Sequence, residues 1–543
     1  MGVYTRANPE ITTREGKSMK GRFSAFLALA CLTVAACLTG SGQQTTSGPK
    51  HGDTLKIAIG IDPDTLDPAA LTTTTAGQIV DMMAEPLTRL DQNGKLKPWL
   101  ATSWESSADK LTWTFTLRQN VKFQDGTPFN AQAVKFSLDR FNDPNTFKAQ
   151  PGILGKKTGG IQQVDAVDDS HVRITLGKPL AILDQVLGGF DIISPASANL
   201  APNKPSVIAQ PVGTGPYKFS ERVAGDHISL TINKDYWGTR PNYDTQILKV
   251  VPEAASREAL VKSGGADVIY LPPANDIPAM QADSSLKVIF GPSDRTIQII
   301  INNQDINQPL LNKPEVRQAL NYAVDKNAII KTVMFGAANT IDAPMSKLIF
   351  GYCSVGTYNY DPAKAKQLLQ SAGATGMSVK MVSPTGRYVQ DFQVASAVAG
   401  YLRDVGIKVD GPSTTDWPTY VATYTLATPA TQKADLHLLG WAPQYMDASQ
   451  VFLQFYSTQI PPNGQESSFY KNPQVDDLIA RANTGTDPAQ RQKDFCAAAK
   501  IVWNDAPWIF LYNQKFPFVT TSKVTGVYGL PTEKFVTTWA SPS

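Results

Sequence analysis

Hydrophobic and polar positions along this chain follow two periods, and the two alternate repeatedly. Thr54-Leu-Lys-Ile-Ala-Ile59 reads as a strand entering the polar loop Ile61–Pro68. From Leu111 to Leu117 every second residue is apolar, which puts Leu111, Trp113, Phe115 and Leu117 on one strand face. After Asn130 the spacing becomes helical. Val134, Leu138 and Phe141 recur at i, i+4 and i+7, and the Asn130 side chain can accept from a free amide of the first turn. Asn312 and Pro314 predict a helix running to about Ile330. Asp361-Pro362 predicts another, which Gly373 can stop, and a third spans Val389–Val405 before Gly406. Ile407–Val409 reads as a short strand. Ala434–Gly440 reads as a later one that delivers Trp441 to an aromatic loop. This alternation, without a repeat period, predicts α/β lobes whose sheets are covered by helices.

The N-terminal 52 residues do not fit that pattern. Lys17, Lys20 and Arg22 precede the apolar run Phe23–Ala36, and Val34-Ala-Ala-Cys37 closes it with small residues before a cysteine. As a helix, residues 23–36 reach roughly 21 Å, short of the roughly 30 Å of a hydrocarbon core. The layout predicts a bacterial lipoprotein signal over residues 1–37, lipidated at Cys37, with a plain secretory signal as the alternative. Cys31 is the poorer acceptor because bulky Leu29 lies two before it, and Met19 is a more normal start for such a signal than Met1. Residues 38–52 lack a hydrophobic pattern and read as a flexible tether. The expected location is the outer face of the bacterial cell membrane, held there by lipid.

The chain holds 50 basic and 47 acidic residues, and the five basic and two acidic residues of segment 1–37 account for the excess. The remainder is formally neutral, so bulk charge favours neither nucleic acid nor an anionic membrane. Roughly 490 residues beyond the tether are too many for one core, which predicts two or three lobes. Cys353 and Cys496 are the two cysteines left after the signal. Outside the cytoplasm such a pair is expected to be bridged, although two buried thiols would also satisfy the sequence. Chain entropy alone sets the upper value of that bridge at roughly 4–5 kcal/mol.

The order of motifs then carries a resemblance. Trp104 precedes Trp113-Thr-Phe-Thr-Leu-Arg118, Val121-Lys-Phe-Gln-Asp-Gly-Thr-Pro128 and Ala133-Val-Lys-Phe-Ser-Leu-Asp-Arg140. Gly213-Thr-Gly-Pro-Tyr217, Pro314-Glu-Val-Arg-Gln-Ala-Leu-Asn-Tyr-Ala323, Tyr360-Asp-Pro-Ala-Lys-Ala-Lys-Gln-Leu-Leu369 and Leu439-Gly-Trp441 follow. From about residue 53 to 540 the train resembles the extracytoplasmic solute-binding proteins of the peptide/nickel class (family 5) of ABC importers. The resemblance implies an α/β, periplasmic-binding-protein-like fold (class II, cluster C), a two-lobe clamp with an additional inserted domain. Residues 53–86, 212–297 and 508–543 would form a discontinuous first lobe, 87–211 an inserted second and 298–507 a third. Ligand would be enclosed between the first and third when they rotate together. A permease and a separate ATPase are the implied partners, and the protein is expected to act as a monomer.

Four segments are candidates to meet the ligand. Thr65 and Leu66 lie in the loop leaving the first strand, whose backbone can pair with an extended ligand. Gly213, Thr214 and Gly215 form a tight crossing, either a structural bend or a close approach to ligand. Arg387, beside Tyr388, matches the position at which dipeptide-binding relatives hold a peptide carboxylate, and a planar guanidinium suits that task. In Trp441-Ala-Pro-Gln-Tyr-Met-Asp447, peptide-binding relatives carry an aspartate for the peptide ammonium three residues after the tryptophan. Here Gln444 stands there and carries no countercharge, while an unpaired ammonium in a closed cleft costs several kcal/mol. Asp447 could supply the charge instead. Otherwise the ligand is N-blocked or not a peptide: an oligosaccharide stacking on Trp441 and Tyr445, a chelated metal, or another small molecule.

Enzymatic readings find little support. His51, His171, His227 and His437 are widely spaced and no Cys-x-x-Cys exists, so neither a resident metal nor a cofactor is expected. There is no Gly-x-Ser-x-Gly elbow, and Gly155-Lys-Lys-Thr158 lacks the upstream glycine of a phosphate loop. A surface hydrolase, chaperone or adhesin reusing the fold is the competing class.

Overall fold

The computed structural model describes residues 51–63, 65–71, 73–140, 154–156, 159–200 and 208–543. The signal with Cys31 and Cys37, the tether up to residue 50, Phe141, and Lys157-Thr158 lie outside them.

Three sheets organise the chain. The first has seven strands in the order Tyr217–Val223, His227–Ile232, Tyr243–Val250, Gly52–Ile59, Val268–Tyr270, Phe516–Thr521, Leu286–Gly291. Gly52–Ile59 runs parallel to both of its neighbours and is buried at Leu55, Ile57, Ala58 and Ile59, as an apolar central strand requires. The second sheet orders Ala338–Thr340, Trp508–Gln514, Thr296–Ile301, Leu436–Trp441, Ser378–Pro384, Lys408–Thr415. The third orders Ala101–Ser106, Thr112–Leu117, His171–Leu176, Ile161–Ala166 and belongs to the inserted region. In its second strand Trp113, Phe115 and Leu117 point into the core while the threonines between them do not, as the alternation dictates.

Local signals set several helix ends. Asn130 caps Ala131–Asp139 by accepting from the Ala133 amide. Asp361 caps Pro362–Ser371 through the Lys364 amide, and Gly373 follows with φ 71°. The helix expected from Asn312 to Ile330 is instead two helices, Pro314–Ala323 and Lys326–Thr332. Asp325 breaks the run because its carboxylate caps the second helix at the Ala328 amide. The strand expected at Ile407–Val409 extends over Lys408–Thr415 beside Ser378–Pro384.

Two pairs of chain crossings join these parts. The chain leaves the first lobe at Glu85-Pro86 and returns at 212–215. The bend at the return is enforced by packing. A Cβ on Gly213 would lie 2.3 Å from the Met83 carbonyl, and one on Gly215 2.6 Å from that of Met82. The other pair differs from the sequence expectation of breaks at 297/298 and 507/508. Thr296–Ile301 and Trp508–Gln514 both pair within the six-stranded sheet, so the chain crosses at 292–295 and at Lys515. Cys353 and Cys496 are disulfide-bonded, with Cα atoms 5.6 Å apart. Among the described residues no helix is long and apolar enough to cross a membrane.

Candidate functional site

The crossing at 292–295 carries a buried polar cluster. Ser293 Oγ donates to Glu533 Oε1 at 2.7 Å, and Arg295 Nε donates to Glu533 Oε2 at 2.5 Å. Burial opposes the Arg295 charge, but Glu533 outweighs it and holds the guanidinium protonated. Arg295 Nη1 also donates to the Gly440 carbonyl at 3.4 Å, and the Tyr388 hydroxyl donates to the same oxygen at 3.1 Å.

Arg387 adjoins this cluster. Its guanidinium lies 5.0 Å from the ring centroids of both Tyr388 and Trp417. The Asp391 carboxylate accepts from the backbone amides of Arg387 and Tyr388 at 2.8 and 3.2 Å, which fixes the loop bearing both. Tyr270 of the seven-stranded sheet, Arg295 and Glu533 all act electrostatically on Arg387, and Arg295 lies on the crossing between the seven- and six-stranded sheets. Burial pushes its pKa down, and the neighbouring Arg295 adds to that effect. Its Nε is buried without a hydrogen-bond partner, and among the described residues no carboxylate pairs with it. The cluster thus has two guanidinium groups against Glu533, together with Asp294, whose carboxyl pKa burial pushes well above the usual carboxylate range. An anionic group is the missing partner.

The other expected contacts fare differently. Thr65 Oγ1 accepts from the Asp67 amide at 3.0 Å, and Leu66 is buried in the first-lobe core. Gly213 and Gly215 are committed to the bend described above. The Thr214 hydroxyl is buried and donates to Glu85 Oε2 at 2.7 Å, an internal tie across the return crossing. Tyr445 packs inside the apolar cluster of the inserted region, although it belongs to the third lobe by sequence. Gln444 is exposed. Asp447 is engaged internally: Arg491 Nη2 donates to both of its oxygens at 2.8 and 3.0 Å, and it caps Ala448–Val451 through the Ser449 amide. Trp441 pairs with Thr296 at the mouth of this region, and its Nε1 is buried without a partner.

Sequence reasoning missed Asp294, Arg295, Glu533 and Glu85. Arg295 and Glu533 are 238 residues apart, and no local spacing links them. A cavity of about 590 Å³ opens between Leu90, Leu96 and Ile182 of the inserted region and Phe350 and Met446 of the third lobe. The Asp447–Arg491 pair on its wall is already satisfied, so the Arg387 cluster is the stronger candidate for ligand capture. Among the described residues no group of three or more metal-ligating side chains gathers. His437 is buried with Nε2 3.0 Å from Ser467 Oγ, and burial pushes its pKa down to about 3.

Comparison with known proteins agrees with this architecture. The family of bacterial extracellular solute-binding proteins, family 5 Middle, matches residues 95–463. The glutathione-binding protein GsiB of Pectobacterium atrosepticum is 30% identical over 481 residues, covering 88% of this chain and 92% of that protein. The periplasmic binding protein DppA of Helicobacter pylori, solved with the peptide STSA, superposes with a TM-score of 0.80 at 26% identity, covering 91% of this chain and 98% of its own. AgaA from A. tumefaciens R10, solved with agropinic acid, superposes at 0.76 with 26% identity, over 89% of this chain and 96% of its own. These relatives are solute-binding proteins rather than enzymes, and the chain belongs to the family 5 extracellular solute-binding proteins of ABC importers.

Proposed function

We propose that this protein captures a small carboxylate-bearing solute of peptide-like character between its lobes and delivers it to an ABC permease driven by separate ATPase subunits. The observation that carries the reading is Arg387, a cation set between lobes, stacked on Tyr388 and Trp417, with no carboxylate of its own. Glutathione, the peptide STSA and agropinic acid, named for the relatives, all carry acid groups, which supports the class without choosing among them.

Titration calorimetry with glutathione and short peptides tests this. Arg387→Ala is expected to weaken a binding probe thirtyfold or more, about 2 kcal/mol, because truncating one partner of a buried charge pair costs at least that. Unchanged affinity would remove Arg387 from the site.

The lipid anchor belongs to the same reading. Cys37 ends the apolar run, and the disulfide between Cys353 and Cys496 suits an extracytoplasmic compartment. Metabolic labelling with a fatty-acid analogue is expected to mark the full chain and to be lost in Cys37→Ala. Equal labelling of both would move the attachment elsewhere.

A further inference from the structure

Gln444 leaves the family's amine-pairing position uncharged, yet a buried carboxyl without a partner lies one strand away. We propose that Asp294 receives the amine of the bound solute. This rests on the reading of Arg387 as the carboxylate post.

The geometry is as follows. Ser293 and Arg295 both reach Glu533, which turns Asp294 to the opposite side of the extended segment. Side chains alternate along such backbone, so Asp294 shares its face with Thr296 and Gln298. Thr296 pairs directly with Trp441, and Gln298 with Leu439. Asp294 is only 1% exposed, and both of its carboxyl oxygens are buried with no hydrogen-bond partner among the described residues. Gln298 Nε2 and Oε1 and Trp441 Nε1 are orphaned in the same way. Folded proteins leave few such atoms, and one face of one strand pair here collects five of them. Leaving them unmade costs free energy that a ligand carrying donors would return.

Charge agrees with the placement. Arg295 and Glu533 are the charged groups acting on Asp294, and they neutralise one another. Arg387 acts on that same pair from the lobe seam. A carboxylate post and an amine post therefore lie on either side of one ion pair, which selects a zwitterionic head group. Such a head group is an amino acid or the end of a short peptide. Burial pushes the Asp294 carboxyl pKa up from the usual carboxylate range. An ammonium docked beside it would favour the ionised carboxyl and draw that pKa back down.

Calorimetry tests the proposal, with glutathione, a dipeptide and the N-acetylated form of each as probes. The unaltered protein is expected to bind the free-amine probe at least tenfold more tightly than the acetylated one. In Asp294→Asn that ratio should fall to near one. A preserved ratio in Asp294→Asn, with Arg387→Ala still weakening both probes, overturns the role of Asp294 and leaves the carboxylate reading intact. If that variant does not fold, the ratio in the unaltered protein decides, and a ratio near one overturns the proposal. Failure of every probe to bind the unaltered protein overturns both readings.

Discussion

Glu85→Ala is expected to lower the unfolding free energy by about 3–5 kcal/mol, because one buried and three half-buried donors lose their acceptor at roughly 1 kcal/mol each. Glu85 is fully buried, yet its carboxylate is saturated. Oε1 accepts from Trp99 Nε1 at 2.9 Å and the Tyr236 hydroxyl at 2.8 Å. Oε2 accepts from the Thr214 hydroxyl at 2.7 Å and Trp237 Nε1 at 2.8 Å. Arg118 lies over the Trp237 ring at 4.5 Å and Arg89 over Trp99 at 5.0 Å, so positive charge surrounds the cage. These donors come from the inserted region, the return crossing and the first lobe, so the one carboxylate binds all three. Glu85→Gln keeps the volume but turns one acceptor into a donor facing two donors, and is expected to cost about half as much. Denaturant unfolding followed by tryptophan fluorescence reads both. An unchanged midpoint in Glu85→Gln would show that the cage contributes nothing net.

Arg491→Ala is expected to destabilise the third lobe by about 3–5 kcal/mol, because it strands the Asp447 carboxylate in the interior. Arg491 also donates through Nε to the Ala482 carbonyl at 2.8 Å, which ties the helix Pro488–Asp505 to Pro473–Thr484. Replacing both charges, Asp447→Asn with Arg491→Met, should recover much of that loss, since a buried pair is worth little against well-packed neutral groups. Thermal unfolding of the two single variants and the double variant closes the cycle. The folded double variant is expected to bind the same probes with unchanged affinity. A large loss of binding there would restore Asp447 to the site.

Particular residues show where sequence reading succeeded. The strict alternation from Trp113 to Leu117 and the cap at Asn130 act over a few residues, and both are present where expected. The helix after Pro314 was read as one because Asp325 looks like an ordinary polar position. Its capping role appears only once the chain turns there. Arg387 was legible because its loop resembles a known one, while its stacking on Trp417 was not, since 30 residues separate them.

The α/β alternation, the family and the missing charge at Gln444 follow from residue order, because each depends on neighbours within a turn or a strand or on motifs in sequence. The Glu85 cage, the Arg295–Glu533 pair beside Arg387, the internal pairing of Asp447 and the orphaned Asp294 depend on folding. Each joins groups far apart in the chain. Their energies come from the removal of water around charges, which only the packed lobes accomplish.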